Sequence, residues 1–390
     1  MSIRSDHSQT CTRHVTVLLA SLVLVCASVQ SQNSPSHPAS QLTKRVVGDY
    51  GYWSKYQTPP YAAAQIPIAK LTHINHFGVS FGSDGSLSIP DGFIEPTLLR
   101  KAHKAGVKVL LGLNGDYPAL DGNPALTATL VGNLWTFIQE KGYDGIDLDW
   151  EYPSTEEGTT FYNLLFALRT AFPTPNYVLS ADVPPWGGQG GYDVPQVNPL
   201  LDYFNIMMYD CAGPWTADGQ LNSEIFWDAS DPDPWECQPG GAANEAIAIF
   251  LQEGVPPLQL NLGTPFYGYF YSQVSALFGT CANASREHNG DCNGSVVSEN
   301  YGTWIKQRIN KKGWQTFYDP VALVPYMLRA DGKEGFITYD DEFSTCYRVA
   351  YADWQQGLGG TFMWSLDADY DGHSQDLLNE MYAASLNPDN

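Results

Sequence analysis

Positive charge is scarce in this chain: 20 Lys and Arg face 42 Asp and Glu among 390 residues, a formal net charge of −22 at pH 7. With no basic field to hold phosphate backbones or anionic headgroups, neither nucleic acid nor a membrane is expected as a partner. Long apolar runs are nearly absent as well. The one candidate, at 15–29, is about 15 residues long and falls short of the ~20 that a bilayer-spanning helix needs. No C-x-x-C or H-x-x-x-H spacing occurs, so no zinc site and no cofactor is expected. Repeats at the periods of solenoids and propellers are missing too.

What is present begins with an address. Arg4, Arg13 and His14 precede the apolar run, and small and polar residues follow through Ser31, the layout of a secretory signal peptide over 1–31. The protein is therefore expected to be secreted and extracellular. Residues 32–45 read as a linker or propeptide. They end on the dibasic Lys44-Arg45, which is either a second processing point or part of an exposed linker, and the folded domain is taken as 46–390. If Cys11 and Cys26 leave with the leader, five cysteines remain in an oxidising compartment. Pairing Cys211 with Cys237 and Cys281 with Cys292 brackets two loops and leaves Cys346 as a buried thiol, although sequence leaves the connectivity open. Sequons at Asn283 and Asn293 mark a solvated loop and a glycoprotein.

Short apolar, β-branched runs recur at 46–50, 71–79, 107–113, 145–150, 177–183, 203–209, 258–264 and 360–364. Helix-compatible segments separate most of them, at 97–105, 125–141, 160–172 and 241–253, each followed by Gly or Pro near the next strand. Eightfold β/α alternation predicts an α/β fold, a (β/α)8 TIM barrel, rather than a doubly wound sheet. The long gap between the seventh and eighth strands predicts a small α+β insertion at about 271–336, with helices at 304–308 and 321–328.

The fourth strand carries an unusual load. Across Asp144-Gly145-Ile146-Asp147-Leu148-Asp149-Trp150-Glu151 polarity alternates with period two. Ile146, Leu148 and Trp150 then face the helices, and Asp147, Asp149 and Glu151 face the barrel interior at about 6 to 7 Å intervals. A structural strand would fill that interior with Val, Ile or Leu, because an unpaired buried charge costs several kcal/mol. Neighbouring carboxylates raise one another's pKa and share protons, which suits Glu151, at the carboxyl end where barrels do their chemistry, to general-acid work. The competing reading is a Mg²⁺ or Ca²⁺ site; no further acid or His motif on another strand supports it, so metal ligands are not expected.

At these residues the chain resembles glycoside hydrolase family 18, the chitinases, whose signature D-x-x-D-x-D-x-E is matched by Asp144, Asp147, Asp149 and Glu151. Met207-Met208-Tyr209-Asp210 resembles the family's M-x-Y-D, and the stretches 263–268 and 359–367 agree as well. The resemblance covers about 46–384. It implies a secreted hydrolase of β-1,4 bonds between N-acetylglucosamine units, acting on chitin or its oligomers as a monomer. In that reading Glu151 protonates the glycosidic oxygen, and Asp149 turns between Asp147 and Glu151 to orient the substrate acetamide. Tyr209 and Asp210 bind that acetamide, whose own carbonyl oxygen is the nucleophile, so the reaction retains configuration without a protein nucleophile. Trp364 is the expected floor under the sugar. Tyr52, Trp53, Trp150, Trp186, Trp215 and Tyr267 are candidate cleft aromatics, and Asp182 and Met207 further pocket residues.

Two positions depart from the family pattern. Gly112-Leu113-Asn114-Gly115 stands where S-x-G-G is common, with Asp116 where an aromatic often follows, and Asp49 occupies a position where Ser or an aromatic is frequent. The Ser that would bond the middle acids is thus missing, and their proton balance is expected to differ. Two other functions fit the same scaffold: a non-catalytic lectin for chitin oligomers, which the presence of Glu151 argues against, and an endoglycosidase acting on the chitobiose core of N-glycans.

Overall fold

A computed structural model describes residues 42–230, 237, 241–281, 292 and 295–386. The expected signal peptide and both sequons lie outside the described residues. In chain order the first strands are β1 (Arg45–Gly51), β2 (His73–Phe81), the short β3 (Leu87–Ser88), β4 (Lys108–Gly115), β5 (Gly145–Asp149), β6 (Val178–Val183), β7 (Tyr203–Ile206) and β8 (Leu260–Pro265). Strands β9 (Tyr267–Tyr271), β10 (Val296–Asn300), β11 (Trp314–Tyr318), β12 (Pro325–Arg329) and β13 (Phe336–Thr338) follow, and β14 (Gly360–Trp364) is last. Parallel pairing runs β1-β2-β4-β5-β6-β7-β8-β14 and returns to β1, so eight strands close a barrel with no free edge.

Helices coat it for local reasons. Pro124–Lys141 starts with Pro at its first turn, and Asn123 accepts the Leu126 N–H at 3.1 Å; it stops at Gly142, which takes φ 83° and returns its N–H to the Ile138 carbonyl. Its buried Leu130, Leu134, Phe137 and Ile138 form one stripe against the sheet, and burying each contributes about 1.5–3 kcal/mol. Gly158–Ala171 does the same through Phe161, Leu164, Leu165 and Leu168. At Gly145 only glycine fits, because a Cβ there would lie 1.9 Å from the Val178 carbonyl oxygen.

Three expectations are corrected. The insertion is a five-stranded antiparallel sheet ordered β10-β9-β13-β12-β11, and 321–328 is not helical: pairing of β12 with β11 and β13 overrides the local helix signal. One wide helical turn, Tyr301–Ile305, stands where 304–308 was predicted helical. Cys211–Cys237 and Cys281–Cys292 are bonded, but Cys346, buried as expected, is disulfide-bonded rather than a thiol.

The dibasic pair is also better explained by the fold. Arg45 opens β1, donates through Nε to Asn261 Oδ1 at 2.8 Å and through Nη2 to the Leu258 carbonyl at 2.7 Å, and lies 4.5 Å over the Tyr203 ring. It plugs the amino-terminal mouth of the barrel, one residue before the expected start of the folded domain.

Candidate active site

The acid ladder points inward as its alternation requires. Asp147 is fully buried. Its Oδ1 accepts from the Ser180 hydroxyl and from Asn205 Nδ2 at 3.2 Å, and its Oδ2 from Asn75 Nδ2 at 3.0 Å. Burial pushes it up to about 7, against the pull of the Ser180 hydroxyl. Asp149, also buried, accepts from Asn114 Nδ2 at 3.2 Å. Burial first, then the charges of Glu151 and Asp147, hold it well above the usual carboxylate range. Glu151 follows the end of β5 and is exposed, and its charge also raises Tyr209 and Asp210.

Asp182, opposite Asp149 in the sheet register, is buried and accepts from Asn205 Nδ2 at 3.0 Å. Asp144 does not join them: it sits outside the ladder, where it accepts the Val109 N–H at 2.7 Å and meets His103 at 2.8 Å. The family pattern's first acid is here a strand-end clamp.

β7 is shorter than predicted and ends at Ile206. The chain then leaves the barrel, with the Met207 N–H on the Val183 carbonyl and Asp210 at φ 62°, which brings the two remaining motif residues to the mouth. Asp210 Oδ1 accepts from the hydroxyls of Tyr267 and, at 2.8 Å, Tyr269. Asp210, Tyr267, Tyr269 and Trp364 line a cavity of about 200 Å³, to which β10 contributes Ser298 and Asn300. Tyr209 borders Tyr267 and Phe362, with ring centroids 6.1 and 6.0 Å away.

The remaining candidates divide. Trp53 is 39% exposed, with its ring folded over Gly51 at the end of β1, and Trp215 is exposed beside Tyr269. Trp186 meets Tyr152, the neighbour of Glu151, edge-on. Tyr52 packs edge-on against the buried Phe93, and Met207 is buried. Trp150 is not a cleft residue: it stacks on Tyr117 at 4.7 Å and meets Phe161 edge-on, on the helix side of the strand, as the alternation itself required.

Sequence reasoning missed the donors. The Ser absent from β4 has functional substitutes in Ser180 of β6, Asn75 of β2 and Asn205 of β7, and Asn261 Nδ2 in turn holds Asn205 Oδ1 at 2.9 Å. The available signal was a polar side chain at an inward position, two residues from its inward neighbours, on strands that are otherwise mostly apolar. Tyr269 was missed as well, two residues beyond Tyr267.

Several known proteins resemble this chain in sequence and in fold. Chitinase 1 of Aphanocladium album is 24% identical over 348 residues, covering 79% of this chain and 78% of that protein. The Group IV chitinase of Ostrinia furnacalis, solved in complex with allosamidin, superposes with a TM-score of 0.75 at 24% identity, over 87% of this chain and 97% of that one. YKL-39, solved in the presence of chitooligosaccharides, gives a TM-score of 0.74 at 21% identity, over 88% and 99%. The family model described as glycosyl hydrolases family 18 matches residues 45–369, from the plug at the foot of β1 to just past β14. A match of that extent settles membership: the chain belongs to glycosyl hydrolases family 18 and is a glycoside hydrolase.

Proposed function

We propose that this hydrolase cleaves β-1,4 bonds between N-acetylglucosamine units of chitin, with retention, and that Glu151 is its general acid and then its base. One observation carries the reading: of the three inward acids, Asp147 and Asp149 are buried and hydrogen-bonded, while Glu151 alone is exposed at the strand end. A proton held there is available to a leaving sugar oxygen.

As the bond to the leaving sugar breaks, the substrate's acetamide oxygen attacks the anomeric carbon and a cationic oxazolinium forms. Asp149 supplies nearby negative charge once its proton moves toward Glu151. Tyr209 and Asp210 hold the acetamide, and Trp364 offers its face to the sugar ring. As water attacks the anomeric carbon and the oxazolinium C–O bond breaks, Glu151 returns that proton to Asp149 and takes one from the water. Secretion fits an external polymer: the leader-like 1–31 supports it, and among the described residues no helix is long and apolar enough to cross a membrane.

Glu151→Gln tests the assignment. Release of sugar from a chitin hexamer should fall by about 10²–10⁴-fold while oligomer binding persists. Unchanged turnover would sink the reading. Binding without turnover in the unaltered chain would favour the lectin reading.

A further inference from the structure

Asp49 is an acid the ladder does not account for. It is fully buried on β1, facing the ladder across the barrel, and its Oδ1 accepts from Asn75 Nδ2 at 2.9 Å. The other hydrogen of the same amide goes to Asp147 Oδ2 at 3.0 Å, so one Asn side chain bridges two carboxylates. Neither Asp49 Oδ2 nor Asn75 Oδ1 has a partner among the described residues. The amide is therefore oriented by its acceptors alone: turned over, it would present its oxygen to Asp147.

We infer that Asp49 is a positioning residue for the hydrolysis: as a neutral acid it anchors Asn75 so that the amide donates to Asp147, which is thereby the first of the buried acids to take up negative charge beneath Asp149. This rests on the proposed role of Asp149 and Glu151, and it adds a group from outside the motif.

The distribution of donors supports it. Asp147 receives three, from Ser180, Asn205 and Asn75, whereas Asp49 and Asp182 receive one each. Among the described residues no cationic side chain hydrogen-bonds to any of these carboxylates or to Asp149. The carboxylate with the most donors gives up its proton first, and its neighbours keep theirs to higher pH. The groups acting on Asp49 are consistent with this. Asp147 and Asp149 act from β5, and Asp49 in turn acts on Asp182 and Tyr209. β2 adds His73, which burial holds neutral above about 3; β14 adds no titratable group; and Arg45, at the start of β1, is engaged with Asn261 and Leu258.

The experiment is the pH profile of kcat and KM for chitin-hexamer hydrolysis by the full chain, with folding checked by thermal melting. In Asp49→Leu, Asn75 loses its anchor and Asp147 its fixed donor. The acidic limb of kcat should move up by about one pH unit and kcat should fall about tenfold, with KM within about twofold. Asp49→Asn keeps a neutral acceptor and should restore both. If Asp49→Asn shifts the limb as far as Asp49→Leu does, ionisation of Asp49 is what matters and the inference is overturned. It is equally overturned if a folded Asp49→Leu shows no shift. Should the Leu variant fail to fold, Asn75→Ala must give the same limb shift, and an unshifted limb there overturns the inference. A wild-type chain inactive on the hexamer would instead sink the proposed function, so the two failures are distinguishable.

Discussion

Two buried acid clusters in this molecule are handled in opposite ways. Just after β13, Asp340 meets the fully buried Arg348 at 3.3 Å and accepts from the hydroxyls of Ser223 and, at 2.7 Å, Ser344. In the barrel, Asp49, Asp147, Asp149 and Asp182 are also buried, yet among the described residues they are bonded by amides, a hydroxyl and one another rather than by a cation. A carboxylate beside a cation has a partner for its charge and holds an element in place, whereas carboxylates clustered without one must share protons. Depth of burial does not separate structure from chemistry here. The presence of a counter-ion does.

The largest effect should come from destroying the paired side. Arg348→Met leaves Asp340 buried without its cation and should destabilise the fold by about 3–5 kcal/mol, read as a lower denaturant midpoint. A loss below about 1 kcal/mol would show that Asp340 does not depend on Arg348, and the contrast would fail.

On the unpaired side the sign of the pH dependence is the test. With Asp147 pushed up to about 7 by burial, the folded chain binds a proton that the unfolded chain releases near pH 4. That contribution to stability is full below about pH 4 and is lost as pH rises through about 7. Asp147→Asn should make the fall over that window shallower by up to ~1.4 kcal/mol per pH unit, measured by denaturation at several pH values. An unchanged slope would place the stored proton elsewhere.

The smallest effect belongs to a pair with neither burial nor clustering. Arg329 meets Asp331 across the turn after β12, in solvent, and Asp331→Asn should leave the melting temperature unchanged. A clear drop would mean that solvent exposure is a poor guide to the weight of a charge in this protein.

Legibility in the sequence followed the same division between local and assembled features. The β5 ladder was readable because period-two alternation is a property of one strand, and Trp150 was assigned correctly by that alternation and wrongly as a cleft aromatic. The eight-strand count was readable because each barrel strand is a compact apolar run between turn residues. The 321–328 segment was misread because partners on β11 and β13, rather than its own residues, decide that it is extended. Asn75, Ser180, Asn205 and Asn261 went unnoticed because each lies on a different strand, and nothing in one strand tells which others its inward side chains will meet. Asp49 was noticed as a departure from the family pattern, but its bridge to Asp147 through Asn75 was invisible in either residue.

By itself, the sequence determined that acids alternate inward along one strand, that eight such strands recur, and that Glu151 stands last in the ladder. Those are consequences of backbone periodicity, which acts over a few residues. Only the tertiary structure decided which acids are paired with a cation and which must share protons, because donors from β2, β4, β6 and β7 reach the ladder only when the barrel closes and excludes the water that would otherwise have solvated it.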